Sequence, residues 1–213
     1  GLTSACFDVH KKNQKNKWLL TFAAMKVHRD LNNLPQFRNA VITIGSFDGV
    51  HCGHQKIIKK VKDLALATGG ESVLITFHPH PRQIVYPKDT SLKLITTTEE
   101  KILLLSATGI DHLVIVPFTI EFSQLSADEY IQRFLVDRFH PKIVVIGYDH
   151  RFGMNRRGDI HYLRWHEKAC GYKVVEIEKE EVDAMAVSST RIREALETGA
   201  VGQASNLLGH YYS

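Results

Sequence analysis

The sequence predicts an α/β protein built on a parallel sheet with helices on both faces. From Ala40 onward, short apolar and β-branched runs alternate with longer segments of helical periodicity, which is the pattern of successive βαβ units. The chain has 213 residues and is 44% hydrophobic, so it is long enough to bury a core of its own. A single domain is the expectation at this length.

Five runs predict the strands of this sheet. They cover residues 40–45, 72–77, 112–116, 142–147 and 172–177. All are short, apolar and rich in β-branched residues, which is typical of buried strands. Residues 77–96 hold three prolines and little periodicity, and we expect a loop or a small excursion outside the sheet there.

Helices are predicted between these runs. The clearest covers residues 55–68, which place one apolar stripe on one face before Gly69 and Gly70 end it: Ile57, Ile58, Val61, Leu64 and Ala65. Cap signals predict four further helices, which begin after Thr97 (with Glu100), Ser126 (with Glu129), Asp159, and Ser188 or Ser189, the last two ending at Gly171 and Gly199.

The charge distribution argues against a nucleic-acid partner. The formal net charge is +4, but four lysines and one aspartate lie before Met25, which leaves 23 basic and 22 acidic residues in the rest. The body of the protein is therefore nearly neutral. Residues 1–24 have no clear period, and we interpret them as a leader outside the folded core.

Cysteine usage predicts a cytoplasmic protein. Cys6, Cys52 and Cys170 are scattered and odd in number, so neither a disulfide framework nor a zinc ribbon is indicated. The apolar run in the leader, Trp18 to Ala24, is at the low edge of the length range for the h-region of a signal peptide, so secretion is not expected. No segment approaches the roughly 20 apolar residues that a membrane span needs.

The first chemical motif is GSFDGVHCGH at positions 45–54, between the first strand and the first helix. Glycines after a strand let the backbone approach a ligand, and the helix start aims unpaired N–H groups at an anion. His51 and His54 lie three apart, on one face, where both can donate hydrogen bonds to phosphate. The alternatives are that His51 only caps the helix while His54 packs on it, or a poorer metal site with Cys52.

Two further motifs follow later strands. In His-Pro-His-Pro-Arg at 78–82 the prolines hold His80 extended beside the carboxyl end of the sheet; alone, this is equally consistent with a rigid turn. Gly-Tyr-Asp-His-Arg-Phe-Gly at 147–153 offers an acid, aromatic faces and glycine flexibility, suited to gripping a ring or a ribose. Its alternative is a charged surface loop.

The fourth motif, Val-Ser-Ser-Thr-Arg-Ile-Arg at 187–193, opens the last predicted helix. Hydroxyl and N–H groups at a helix start bind phosphate, and Arg193 lies four residues past Ser189 on the same face. A plain serine cap with surface arginines would be favoured if this motif stood alone.

Together the four motifs resemble the FMN adenylyltransferase module of prokaryotic bifunctional FAD synthetases, the riboflavin kinase/FMN adenylyltransferase proteins. The extended GxFDGVHxGH pattern resembles the nucleotidylyltransferase signature, and the PHP, GxDxxFG and SSTxIR elements in this order distinguish the family. The resemblance implies a Rossmann-like nucleotidylyltransferase fold over residues 25–206. It also implies the opening of a riboflavin kinase domain over 207–213, without kinase activity in the chain as given.

The resemblance implies transfer of AMP from ATP to FMN, giving FAD and pyrophosphate. The implied catalytic residues are His51, His54 and Arg193. The implied ATP contacts are Gly45, Phe47, Asp48, Gly53, Ser189 and Thr190, and the implied FMN contacts are His80, Pro81, Asp149 and Phe152. Mg²⁺ is expected to arrive on the ATP phosphates, with Asp149 as the carboxylate singled out for it.

The sequence departs from this family at two positions. His150 stands where many members have phenylalanine, and Thr119 stands where many have asparagine, so flavin contacts are the feature most open to change. Two alternatives also stay open. One is another small-molecule nucleotidylyltransferase, acting for instance on pantetheine phosphate or nicotinamide mononucleotide, and the other is a non-catalytic nucleotide-binding module.

Overall fold

The protein is described by a computed structural model over residues 24–89, 91–177 and 189–210. The predicted leader, apart from Ala24, lies outside the described residues, as do Val187, Ser188, Tyr211 and Tyr212. No helix in the described ranges is long and apolar enough to cross a membrane.

The sheet has six strands, all parallel, in the order β1-β4-β3-β2-β5-β6. The strands are β1 (Lys26–His28), β2 (Val41–Ile44), β3 (Ser72–His78), β4 (His112–Pro117), β5 (Ile143–Gly147) and β6 (Lys173–Ile177). The five predicted strands are confirmed. The sixth, β1, was not predicted, because three residues with a largely exposed pattern carry no periodic signal.

Both faces of the sheet are covered, as predicted. Successive residues of β2 point to opposite sides, so Ile42 and Ile44 pack in one apolar cluster and Val41 in the other. In β3, Leu74 joins the second cluster while Val73 joins the first. Because each strand contributes to both clusters, the continuous apolar runs of the sequence are explained by burial on two faces.

Besides three short 3-10 helices (Leu31–Asn33, Asp48–Val50 and Met154–Arg156), the described residues form eight helices. They are α1 (Cys52–Ala67), α2 (Pro81–Val85), α3 (Thr98–Ser106), α4 (Ile120–Ser123), α5 (α-helical Ala127–Glu129, π-helical Tyr130–Val136 and α-helical Asp137–Phe139), α6 (Ile160–Cys170), α7 (Ser189–Glu197) and α8 (Val201–Leu208). Helix α2 is the small excursion predicted within residues 77–96. Helix α8 was not predicted.

The predicted caps are found where the described residues test them. Thr97 and Ser126 both form capping boxes with the glutamate three residues later, and the Asp159 carboxylate accepts from the Tyr162 N–H. Gly171 ends α6 in the left-handed conformation with φ 74°. Helix α1 begins three residues earlier than predicted, at Cys52, because the His51 imidazole serves as its cap.

Helices α7 and α8 pack on each other beside the carboxyl end of the sheet. Their apolar faces form a separate small cluster with one residue of the loop before α3: Ile95, Ile192, Ala195, Ala204 and Leu208. Leu207 and Leu208, which were predicted to open a further domain, therefore lie in α8, the helix that packs against α7.

Replacing Thr97 by alanine is expected to lower the free energy of unfolding by about 1 kcal/mol, because the Glu100 N–H loses its side-chain acceptor. Ser106→Ala, at the other end of α3, is the matched control and should stay within about 0.5 kcal/mol of the parent. Urea denaturation measures both. Equal stability of the Thr97→Ala variant and the parent would contradict the role of the cap.

Candidate functional site

Three of the four motifs meet at the carboxyl edge of the sheet. Strand β2 lies between β3 and β5, so the chain order reverses on either side of it. Ligands of open α/β sheets bind at such a switch point, outside the carboxyl ends of the strands. Because the motifs at 45–54, 78–82 and 147–153 directly follow β2, β3 and β5, the topology brings their backbones together.

The turn after β2, residues 46–50, has an unusual backbone. Phe47 and Val50 have positive φ angles of 47° and 41°, and Gly49 has a φ of 77°. A non-glycine residue in this region costs free energy and persists only where its surroundings hold it. The Phe47 ring is buried and lies against Gly45, where an added Cβ would be 3.1 Å from Phe47 Cε2.

Asp48 anchors this turn from inside the protein. Its side chain is 1% exposed, and its carboxylate accepts hydrogen bonds from the Ile95 N–H (3.0 Å) and the Thr96 N–H (3.1 Å). The Arg193 guanidinium donates to Oδ2 at 2.6 Å. Both carboxylate oxygens are thus engaged within the protein, so Asp48 fixes the turn and joins it to α7.

His51 and His54 lie face to face at the start of α1. Their ring centroids are 3.6 Å apart with an interplanar angle of 16°, which confirms that the two imidazoles share one face. His51 Nδ1 accepts the His54 N–H at 3.3 Å. A neutral imidazole that accepts at Nδ1 carries its proton on Nε2, so His51 keeps one N–H donor for a ligand.

Both histidines are held neutral by burial. Desolvation lowers the pKa of His51 to about 4, against the opposing charge of Asp48. The pKa of His54 is also far below its usual range, because of burial first and then the charges of His51 and Lys101. His54 Nδ1 is buried and has no hydrogen-bond partner among the described residues.

The second motif places His80 within the electrostatic reach of Asp48 in the turn after β2. A cis His78–Pro79 peptide precedes it, and its own backbone is extended, with φ −60° and ψ 133°, as the prolines predict. His80 Nδ1 accepts the Arg82 N–H at 3.2 Å and caps α2. Its pKa is lowered by burial first, against the raising charge of Asp48, and then by Lys101 and Arg193, so it shares the electrostatic environment of the turn.

The start of α7 lies against the same turn. The Ser189 hydroxyl donates to the Asp48 carbonyl at 3.4 Å. Beyond its bond to Asp48, Arg193 Nε donates to the Lys93 carbonyl at 2.6 Å. The structure therefore brings together Asp48, His51, His54 and His80 with the first residues of α7.

The third motif is placed differently from the others. Asp149 is exposed, whereas Phe152 is 5% exposed and stacks on Tyr130 at 4.8 Å in the main core cluster. Phe152 also pairs with Gly158 through two backbone hydrogen bonds, and a Cβ on Gly158 would lie 2.3 Å from the Phe152 ring. Flavin contacts by Asp149 and Phe152 stay predictions.

Half-buried aromatic rings lie at the ends of β3 and β4, and sequence analysis assigned them no role. Phe77, Phe118 and Phe122 contact one another with ring centroids 5.4–5.7 Å apart. Thr119 caps the short α4 between them, because its Oγ1 accepts the Phe122 N–H. Phe118 and Phe122 flank Thr119 in the sequence, but their contacts with Phe77 depend on how the sheet brings β3 and β4 together.

Lys101 is a second residue that the sequence did not single out. Its side chain is only 9% exposed, and its Nζ donates to the Ser46 carbonyl at 2.7 Å. The sequence could have indicated its burial through helical spacing, because Lys101 is four residues before Leu105 and both lie on the buried face of α3.

The end of α8 holds the turn from the opposite side. Gln55 Nε2 donates to both the Val50 carbonyl (3.1 Å) and the Leu208 carbonyl (3.3 Å). His210 Nε2 lies 3.0 Å from the Gly49 carbonyl. Residues near the end of the described chain therefore contribute to the shape of the turn.

The described residues contain no group of three or more histidine, cysteine or acidic side chains that could hold a metal ion. Asp48 is engaged in the protein, and Asp149 is the exposed carboxylate of the third motif. This donor set suits a hard cation that keeps its waters and arrives on phosphate oxygens better than one in an all-protein cage.

Stability should fall as the pH drops from 6.5 towards 4, because the folded pKa values of His51 and His150 are lowered to about 4. In this window the unfolded chain binds more protons than the folded protein, so each histidine costs up to about 3 kcal/mol by pH 4. His150→Phe removes one contribution, so its unfolding free energy should fall less over this range. Urea denaturation at several pH values measures the unfolding free energies. An equal fall for the variant and the parent between pH 6.5 and 4 would contradict this prediction.

The comparisons with known proteins identify one family. A family model described as FAD synthetase matches residues 34–191, most of the chain. The bifunctional riboflavin kinase/FMN adenylyltransferase of Buchnera aphidicola subsp. Acyrthosiphon pisum is 34% identical over 194 residues, which cover 89% of this chain and 60% of the relative. The protein of the same description from Pseudomonas fluorescens is 34% identical over 186 residues, covering 87% and 59%.

A solved structure gives the same result for the fold. The crystal structure described as a macrolide-efflux protein from Streptococcus pneumoniae superimposes with a TM-score of 0.75 at 26% identity, covering 88% of this chain and 60% of that one. This chain thus spans about 60% of the length of each of these three proteins. The sheet order, the turn at 45–54 and the family match over residues 34–191 together show that the chain belongs to the FAD synthetase family.

Proposed function

We propose that this chain transfers AMP from ATP to FMN, giving FAD and pyrophosphate. The observation that carries the proposal is the stacked pair of neutral histidines at the start of α1, at the switch point of the sheet. The names of the Buchnera and Pseudomonas relatives include FMN adenylyltransferase, which supports FMN as the acceptor.

The proposed reaction is an in-line displacement at the α-phosphorus of ATP. An oxygen of the FMN phosphate forms the new bond, the bond from the α-phosphorus to the bridging oxygen breaks, and pyrophosphate leaves with the electron pair. The second pKa of a phosphate monoester is about 6, so FMN is mostly dianionic at pH 7. No side chain is needed as a base or as a covalent nucleophile.

The protein's task is then to position the phosphates and stabilise their charge. A helix N-terminus contributes about 0.3–2 kcal/mol to an anion, whereas even a modest enzyme lowers its barrier by about 8 kcal/mol. The N-termini of α1 and α7 alone therefore cannot account for the lowering of the activation barrier. We infer that His51 and His54 donate N–H groups to the ATP phosphates, with support from Ser189, Thr190 and the guanidinium of Arg193.

Arg193 has a double role in this proposal. Its Nη2 and Nε are occupied by Asp48 and the Lys93 carbonyl, which leaves Nη1 for a phosphate. Gly45, Phe47, Asp48 and Gly53 shape the ATP side through the turn, and we assign the FMN side to His80, Pro81, Asp149 and Phe152. Mg²⁺, bound through the ATP phosphates and near Asp149, would neutralise charge on the phosphates.

We further infer that the whole protein carries a riboflavin kinase activity in a separate domain, because the relatives' names state both activities. The nearly neutral body supports small-molecule substrates rather than nucleic acid. The scattered cysteines support a cytoplasmic location.

The proposed activity is tested by chromatographic detection of FAD after incubation with ATP, Mg²⁺ and FMN. Nicotinamide mononucleotide and phosphopantetheine, offered in parallel, test the other transferase activities. Formation of FAD with FMN alone as the accepted substrate is the expected result. No FAD from a folded protein, or a preference for either other acceptor, would refute the proposal.

His51→Ala is expected to lower kcat by about 10²-fold or more, because a donor to the transition state is lost. Since His51 also caps α1, His51→Asn is the informative companion: asparagine is a strong cap, so this variant should fold like the parent and still be slow. His161→Ala, which changes an exposed residue of α6, is the control with unchanged kcat. Parent-like turnover by His51→Ala would show that the assigned role is wrong.

A further inference from the structure

Lys101 is a buried cation with no role in the reaction proposed above. It lies in the second turn of α3, and its side chain is 9% exposed. Lysine is almost never buried unless its charge is paired or serves a function. Its surroundings therefore need an explanation in terms of what neutralises the ammonium.

One hydrogen bond from the ammonium is described. Lys101 Nζ donates to the Ser46 carbonyl at 2.7 Å, and the Thr76 hydroxyl donates to the same carbonyl at 3.0 Å. An ammonium has three N–H donors. Within residues 24–89, 91–177 and 189–210, the other two donors of Lys101 have no described acceptor.

No carboxylate forms an ion pair or a hydrogen bond with Lys101 in the described part of the chain. Burial lowers the pKa of Lys101, and Asp48 is the acid that opposes the shift. Asp48, however, is already paired with Arg193 and accepts from Ile95 and Thr96. A buried charge without a partner is costly, and an anion that enters beside it offsets that cost.

The position of Lys101 identifies the class of anion. Its charge lowers the pKa of both His54 and His80, so the ammonium acts on the first and second motifs at once. The carbonyl that it contacts belongs to the turn between β2 and α1, and the N-terminus of a helix favours an anion. Resting on the proposed function, this location indicates a substrate phosphate.

We propose that Lys101 is a phosphate-binding residue of this site. Its ammonium is anchored on the Ser46 carbonyl and donates its two remaining N–H groups to phosphate oxygens of a substrate. Pyrophosphate represents the ATP side and the FMN phosphate the acceptor side, and the ATP side is expected because Ser46 belongs to the turn that opens α1.

Lys101→Gln tests this because glutamine keeps an N–H donor for Ser46 and removes the charge. Isothermal titration with pyrophosphate should show binding about 10- to 100-fold weaker than in the parent, as for a lost hydrogen bond to a charged group. Adenosine, which has no phosphate, should bind equally well. Lys101→Arg should recover part of the pyrophosphate affinity, and Lys59→Gln, on the exposed face of α1, should match the parent.

Unchanged pyrophosphate and FMN affinity in a Lys101→Gln variant that melts like the parent would overturn the proposal, as would an equal loss for adenosine and pyrophosphate. A loss confined to FMN, with riboflavin unaffected, would assign the same ammonium to the acceptor phosphate. If Lys101→Gln weakens pyrophosphate binding but the parent protein forms no FAD, the role of Lys101 is retained and the proposed function is refuted.

A second measurement uses the parent protein alone, in case the Lys101→Gln variant does not fold. Amine acetylation followed by mass spectrometry reports the reactivity of individual lysines. Pyrophosphate should slow modification of Lys101 and leave Lys59 unchanged. Equal rates at Lys101 with and without pyrophosphate would overturn the proposal.

Discussion

The buried carboxylate of Asp48 is the contact on which the rest of the site depends. It joins the turn after β2, the loop before α3 and the start of α7, three segments that are far apart in the sequence. The turn itself is strained, with positive φ at Phe47 and Val50. Since such a backbone persists only when its surroundings hold it, the Asp48 contacts set the geometry from which both helices face the proposed phosphates.

The same histidines can both cap a helix and donate a hydrogen bond to a ligand. His51 and His80 both use Nδ1 to accept a backbone N–H at a helix start. That bond fixes the ring and leaves the proton on Nε2, which faces away from the helix N–H. His51 therefore does cap α1, as the alternative interpretation of the motif predicted. The same contact prepares the imidazole to act as a neutral donor, and burial keeps the pKa of His51 at about 4.

The sequence predicted the parallel sheet, five strands and the helices with ordinary caps, because these follow from local periodicity and cap chemistry. It did not predict β1, which is only three residues long, or α8, whose N-cap Ala200 makes no side-chain hydrogen bond. Contacts between residues far apart in the sequence could not be predicted from local sequence patterns either. The bond between Arg193 and Asp48 spans 145 positions, and the bond between Lys101 and Ser46 spans 55. These long-range contacts depend on the folded topology.

A double-mutant cycle between Asp48 and Arg193 tests the central claim most directly. The unfolding free energies of the parent, Asp48→Asn, Arg193→Leu and the double variant would be measured in urea at pH 7. Each single change leaves a buried partner unpaired, so we predict a coupling free energy of about 2 kcal/mol, with the double variant less destabilised than the summed single effects. Additive effects would show that the two side chains stabilise the turn independently, which would contradict this account.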